Sequence, residues 1–75
     1  MLKLNEINAG QKALITNIKG NPRFLSRVTS IGLTLGCVIE MLYNEKKLPL
    51  LFFGRDTVIA LNREESRDIL VEKFA

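Results

Sequence analysis

The segment from Asn21 to Gly36 constrains the fold most, because it fixes where a helix begins, where it ends and where the next strand starts. Asn21 is a preferred N-cap residue, and Pro22 suits the first helical position, whose N–H needs no partner. Gly32 fits the left-handed position that ends a helix in a Schellman motif. Gly36 closes a short turn that leads into an apolar strand. The segment therefore predicts a helix, a glycine stop and a tight turn.

The predicted helix has one apolar face. Its apolar residues recur at spacings of three and four, which places them on one side of the helix: Phe24, Leu25, Val28 and Ile31. Arg23 and Arg27 are four residues apart and share a different face. Leu33 follows the glycine stop, and we expect it to contact Val28 as the apolar pair of a Schellman motif.

Short strands bounded by glycine or polar turns account for most of the remaining chain. The opening residues, 2–7, are predicted to form an edge strand or a single helical turn. Asn62 is predicted to open a helix of about two turns that ends near Asp68. A bulge is expected near Thr16-Asn17, because Ile18 breaks the apolar alternation there. The predicted strands cover residues 12–18, 37–43, 48–53, 57–61 and 69–74.

These elements predict the fold class. A chain of 75 residues supports one domain, spanning residues 1–75. About five short strands with one or two short helices indicate an all-β fold, built as a small closed or half-open barrel.

The composition argues against catalysis. The chain has no histidine and a single cysteine, Cys37, so the commonest metal ligand, the commonest general base and a structural zinc site are all missing. Glu64 and Asp68 share one side of a predicted helix start, where the helix dipole favours acids, so we interpret them as helix-start acids rather than a cation site. We therefore expect no catalytic residue, no metal site and no cofactor, and the protein is predicted not to be an enzyme.

Charge and apolar content limit the location and the partners. No segment approaches the roughly 20 apolar residues that a membrane-crossing helix needs, and one cysteine excludes an internal disulfide, so we expect a cytoplasmic protein. Residues 1–36 carry five basic and one acidic side chain, a net charge of +4, which either attracts acidic partners or keeps the domain soluble. Most aromatic residues lie in strongly apolar segments, so nucleic-acid binding by base stacking is not expected.

An excess of apolar residues is the one positive functional signal. The second face of the 48–53 strand must be covered by the helix or a terminus, or must meet another protein, because only one face of a single-layer barrel points inward. Leu33 and Leu35 raise the same question at the glycine turn. Both faces of that strand carry bulky side chains: Leu48, Leu50, Leu51, Phe52 and Phe53.

Four segments of this chain resemble the small ferrous iron transport protein A (FeoA) family. The first is the apolar helix followed by Ile31-Gly32-Leu33, a two-residue spacer and Gly36. The resemblance runs from about Leu4 to Glu72, and it departs from the family at Leu35, where proline often precedes the second glycine. The other segments are the opening pattern Leu4, Ile7, Gly10, Ala13 and Ile15, the run Val58-Ile59-Ala60-Leu61 followed by Arg63, and Ile69-Leu70-Val71.

The resemblance implies an SH3-like barrel with an accessory role in bacterial ferrous iron uptake. It implies a partner, the cytosolic region of a membrane iron transporter that carries a GTPase domain. The family is commonly described as binding transition metals. A related domain occurs in some metal-dependent repressors, where it serves as a protein-docking module. We expect the arginines to pair with acids of the partner and the leucines to fill a pocket. The expected contact residues are Arg23, Arg27, Leu33, Leu35 and Phe52, with Gly32 and Gly36 as structural turn glycines.

Two alternatives remain open at this point. One is a regulatory sensor domain that responds to a metal or a nucleotide. The other is a self-associating structural module, a homo-oligomer formed by edge pairing of the 48–53 strand.

Overall fold

The computed structural model describes residues 2–74 of the chain. Nine elements follow one another, and most of them are strands. A single 3₁₀ turn covers Leu4–Glu6. The two α-helices are α1, Pro22–Ser30, and α2, Arg63–Ser66. The strands are β1, Leu2–Lys3; β2, Lys12–Ile18; β3, Val38–Tyr43; β4, Leu50–Gly54; β5, Thr57–Leu61; and β6, Ile69–Phe74.

The six strands form one antiparallel sheet in the order β1-β6-β2-β3-β4-β5. This architecture confirms the all-β prediction, and the SH3-like class with it. The sixth strand beyond the predicted five is the two-residue β1, which pairs with β6 through Leu2 and Val71. The N-terminal segment therefore forms both structures that the sequence left open, first a short edge strand and then a helical turn.

Strand β2 lies at the centre of the sheet, between β3 and β6. Its register with β6 shifts between Ile15 and Asn17, which confirms the predicted bulge. Thr16 sits in that bulge, and its hydroxyl donates to the carbonyl of Leu70 at 3.2 Å. The extra residue lets Ile18 pack partly against the same core as Ile15.

Helix α1 begins and ends where the sequence predicts. The Asn21 side chain accepts a hydrogen bond from the N–H of Phe24 at 2.8 Å, which satisfies one of the unpaired donors of the first turn. At the other end Gly32 has φ +96°. Its N–H donates to the carbonyl of Thr29 and the N–H of Leu33 to that of Val28, both at 3.0 Å. These two bonds define a Schellman stop.

Helix α2 is a single turn, shorter than the predicted two. Asn62 caps it by accepting from the N–H of Glu65 at 2.8 Å. The carbonyl of Asp68 accepts from the N–H of Lys19 at 2.7 Å, beyond the end of β2. This bond holds the chain in place for β6 to begin at Ile69, so the helix has no room for a second turn.

A partly buried polar network holds α2 near the tip of the β3–β4 hairpin. The Asn44 amide nitrogen donates to the carbonyls of Asn5 at 3.1 Å and Ile7 at 2.7 Å. Arg63 in turn donates to the side-chain oxygen of Asn44 and to the carbonyl of Glu45. The network joins three segments that are far apart in the chain.

None of the helices within residues 2–74 is long and apolar enough to cross a membrane.

Strand β4 shows how the apolar 48–53 segment is accommodated. Leu50 and Phe52 are fully buried in the core, whereas Leu51 and Phe53 alternate with them and remain partly exposed. The strand is paired on both sides, with β3 and with β5. Self-association by edge pairing of this strand is therefore wrong, because its backbone groups are already used inside the sheet.

One apolar core lies under the sheet and α1. It takes side chains from the N-terminal turn, from α1 and the loop that follows it, and from strands β2 to β6. Its fully or nearly fully buried members are Leu4, Ile7, Ala13, Ile15, Phe24, Val28, Leu33, Cys37, Ile39, Met41, Leu50, Phe52, Ile59, Leu61, Ile69 and Val71.

Substitutions of the neighbouring residues Phe52 and Phe53 test which face of β4 points into the core. Phe52 is 0% exposed and Phe53 is 41% exposed. We predict that Phe52→Ala lowers the free energy of unfolding by about 3–5 kcal/mol, since it removes a fully buried ring and leaves a cavity. The matched control Phe53→Ala should cost about 1 kcal/mol or less. Urea denaturation measures both, and equal losses for the two variants would contradict the assignment.

Candidate functional site

A shallow apolar groove lies beside α1, between that helix, the end of β2 and the turn that follows Gly32. Its volume is about 280 Å³. None of the described residues that line it is charged. The lining residues are Asn17, Ile18, Leu25, Val28, Thr29, Leu33, Thr34 and Leu35.

The groove has a buried floor and an exposed rim. Val28 and Leu33 form the floor, and both are fully buried. The Schellman bonds hold these two residues against each other, because they place the residue after the glycine over the last full turn of the helix. Leu25 and Leu35 form the rim, and they are 36% and 63% exposed. An apolar side chain of a partner would therefore meet a rigid floor between two exposed leucines.

The turn that carries Leu35 is fixed by backbone hydrogen bonds. The N–H of Cys37 donates to the carbonyl of Thr34 at 3.1 Å, and Gly36 has φ +85°. These two features define a type II turn with Leu35 at its second position and the glycine at its third. Gly36 N–H also donates to the carbonyl of Ile15 at 2.8 Å, so the turn is anchored to β2. The exposed leucine thus stands on a well-ordered backbone.

Two of the expected contact residues are not at the surface. Leu33 is 0% exposed because the helix stop turns it onto Val28. Phe52 is 0% exposed because it lies on the inner face of β4. The expectation that these two side chains are exposed is wrong: Phe52 lies inside the core, and Leu33 is reached only at the bottom of the groove. Leu33 still belongs to the groove as part of its floor.

The arginines of α1 lie away from the groove. At about 100° per residue, Arg23 and Arg27 are each about 160° around the helix from Leu25. Arg27 donates to the Glu65 carboxylate, and its guanidinium carbon lies 5.6 Å from the centre of the Phe24 ring. This ion pair joins α1 to α2. The structure thus separates the expected contact set into an apolar groove and a basic helix face.

The lining of the groove includes two residues that the sequence does not single out as contacts, Leu25 and Ile18. Leu25 belongs to the predicted apolar face of the helix together with Val28, but it is partly exposed. Ile18 follows the bulge in β2 and is half-buried. The sequence signal for Leu25 is the width of the apolar face of the helix, on which Phe24 and Val28 already fill the core. The signal for Ile18 is its position just after the bulge.

The side chains present do not fit a transition-metal site. No three acidic or cysteine side chains come together as possible ligands within residues 2–74. Glu64, Glu65 and Asp68 line a shallow cleft near Asn21, but Glu65 is already paired with Arg27. Cys37 is buried in the core. Soft or borderline ligands in the numbers that such metals need are therefore missing from the described chain.

Comparisons with known proteins agree with this fold. The family model described as the FeoA domain matches residues 2–73. The chain belongs to the FeoA family. The comparison with curated protein sequences gives no match.

Solved structures extend the likeness to FeoA proteins. The crystal structure of an iron uptake regulatory protein (FeoA) superposes with a TM-score of 0.91 and 25% identity, over 97% of each chain. FeoA of Stenotrophomonas maltophilia complexed with zinc superposes with a TM-score of 0.78 and 21% identity, over 96% of this chain and 91% of that one. That protein is described as a prokaryotic SH3 domain protein and a candidate activating factor for ferrous iron transport.

The same fold occurs within larger regulators. A manganese-dependent transcriptional repressor superposes with a TM-score of 0.89 and 17% identity, over 97% of this chain and 41% of that one. At this identity the likeness concerns the fold alone. The FeoA fold is thus found both as a small protein and as part of a repressor chain.

The conformation of the type II turn next to the groove predicts how a substitution of Leu35 changes the free energy of unfolding. Proline is favoured at the second position of such a turn, where its fixed φ matches the native conformation. We predict that Leu35→Pro raises the free energy of unfolding by roughly 0.4–1 kcal/mol by restricting the unfolded chain. Thermal or urea unfolding measures the change. A loss of stability would show that the turn has a different conformation or that the Leu35 N–H is needed.

Proposed function

We propose that this chain is a non-enzymatic cytosolic accessory protein of bacterial ferrous iron uptake. In this proposal it docks on the cytosolic region of a membrane iron transporter that carries a GTPase domain. The observation that carries the proposal is the apolar groove beside α1, with its buried floor at Leu33 and its exposed rim at Leu25 and Leu35. Family membership supports the link to iron transport.

The groove is suited to an apolar side chain of another protein. Its volume of about 280 Å³ is below the usual range for small-molecule pockets, and its lining offers hydroxyl and amide groups but no charge. Burial of one leucine-sized side chain there is worth roughly 1.5–3 kcal/mol. The exposed leucines of the rim add contact area around it. Such a site favours a leucine or phenylalanine anchor on the partner over a charged ligand.

The basic face of α1 is proposed to assist docking by long-range attraction. Arg23 is exposed, and Arg27 is half-exposed beside Glu65. Charges of this kind raise the rate of encounter with an acidic surface more than they raise the affinity. The groove is therefore the anchoring site, and the arginines orient the approach. A metal-sensing function has less support, because the described chain lacks a suitable set of ligands.

The two rim leucines provide a direct test. We predict that Leu35→Asp and Leu25→Asp each weaken binding to the cytosolic region of the transporter at least about tenfold, since each places a charge against an apolar contact. The affinity is measured by calorimetry with purified components, and iron-dependent growth is measured in cells that lack the native protein. Both side chains are exposed enough for the fold to survive.

Leu42→Asp is the matched control. Leu42 is 44% exposed on β3, outside the groove, so the same substitution should leave binding and growth unchanged. Circular dichroism establishes that all three variants are folded. Wild-type affinity of a folded Leu25→Asp/Leu35→Asp double variant would exclude the groove as the docking site. Equal losses in the control would indicate a nonspecific effect of charge.

A further inference from the structure

Strand β5 forms one end of the sheet and is paired on one side only. Its single strand neighbour within the described chain is β4, with an unbroken register from Gly54↔Thr57 to Leu50↔Leu61. The other end of the sheet is the two-residue β1, which is too short to offer a comparable edge. The five residues of β5 are thus the longest unpaired strand edge in residues 2–74.

The turn before β5 determines which backbone groups face outward. Arg55 and Asp56 connect β4 to β5, and both have positive φ, 54° and 62°, as in a type I′ hairpin turn. In a two-residue hairpin the flanking pair, here Gly54 and Thr57, is hydrogen-bonded, and such pairs alternate along the ladder. Thr57, Ile59 and Leu61 therefore bond to β4. Val58 and Ala60 direct their N–H and C=O groups to the open side.

The open edge of β5 has none of the features that usually prevent an edge strand from pairing with a strand of another molecule. Natural edge strands are blocked by lysine, proline, a bulge or a covering segment. The sequence of β5, Thr-Val-Ile-Ala-Leu, contains no charge and no proline, and its register contains no bulge. Val58 is 57% exposed. Its neighbours on the outer face of β4, Leu51 and Phe53, are also partly exposed, so the open edge borders an apolar surface.

We propose that a second copy of this chain pairs with β5 edge to edge, in antiparallel orientation, to continue the sheet across a two-fold axis near Ile59. This inference goes beyond the docking function and does not depend on it, because the two sites share no residue.

Several features favour a second copy as the occupant. An axis at Ile59 places Val58 of each copy opposite Ala60 of the other, which combines a large side chain with a small one. Both residues are on the outer face and both have outward backbone groups, so the two pairs form about four hydrogen bonds. No like charges stand opposite each other within the strand. Asp56 falls beside Asn62 of the other copy, which is uncharged.

The size of the contact sets its strength. The five residues of β5 in each copy, with Phe53 beside them on β4, bury less than the roughly 1,000 Å² expected for a permanent interface. The dimer is therefore weak and depends on concentration, with a dissociation constant in about the micromolar to millimolar range. Pairing also covers an edge that is otherwise open to aggregation.

The experiment measures the oligomeric state of the full chain by sedimentation over a wide range of concentrations. The wild type is expected to shift from monomer to dimer, without larger species. Val58→Lys places a charge where β5 of one copy pairs with β5 of the other. Ala60→Pro removes an N–H that points toward the second copy, without loss of a hydrogen bond to β4. Each is expected to weaken the dimer at least about tenfold. Val38→Lys is the matched control, since Val38 is 40% exposed on β3, an internal strand.

Amide hydrogen exchange locates the contact. At high concentration the amides of Val58 and Ala60 are expected to exchange more slowly, and this protection is expected to vanish in the Val58→Lys variant. A wild type that stays monomeric throughout would overturn the proposal. So would a dimer that Val38→Lys disrupts as strongly as Val58→Lys, or a dimer in which Val58 and Ala60 exchange freely. A wild-type protein that binds the transporter region but stays monomeric would overturn the edge proposal alone.

Discussion

The pair of hydrogen bonds that ends α1 is the constraint on which the candidate site depends. The N–H of Gly32 donates to Thr29 and that of Leu33 to Val28. These bonds stop the helix, reverse the chain and press Leu33 onto Val28 as part of the core. Glycine is favoured here because φ is +96°, a conformation that side chains with a Cβ rarely adopt. A floor that belongs to the core is rigid, so the groove above it is preformed rather than moulded by a partner.

The sheet leaves apolar side chains on two surfaces with different characters. Around the groove, exposed leucines surround a depression with a buried floor, which suits a protruding side chain of another protein. On the outer face of β4 and β5, Phe53 and Val58 lie beside an unpaired backbone edge, which suits a strand. The groove and the open edge share no residue, so the two proposed contacts can form at the same time. The basic side of α1 is a third surface, and its Arg27 also holds the two helices together through Glu65.

Local rules predicted the elements well, because caps and turns depend on residues three or four positions apart. Asn21, Gly32 and the bulge near Asn17 were all predictable in this way. The Schellman pattern also predicted that Leu33 contacts Val28, which already implied burial and conflicted with a role as an exposed contact. Phe52 and Phe53 were ambiguous, since both faces of their strand are apolar and only the pairing with β3 and β5 decides which face is inward. The sheet order, and hence the free edge, depends on long-range pairing that periodicity does not contain.

The groove floored by Leu33 is the surface that we propose to meet the transporter. Its most direct test is a titration of the ¹⁵N-labelled chain with the unlabelled cytosolic region of the transporter, followed by amide chemical shifts. We expect the largest shift changes at the amides of Leu25, Thr34 and Leu35, around the groove, and unchanged shifts for the amides of β5. Changes centred on the outer face of the sheet, at Val38, Leu42 and Phe53, with an unaffected groove would contradict it.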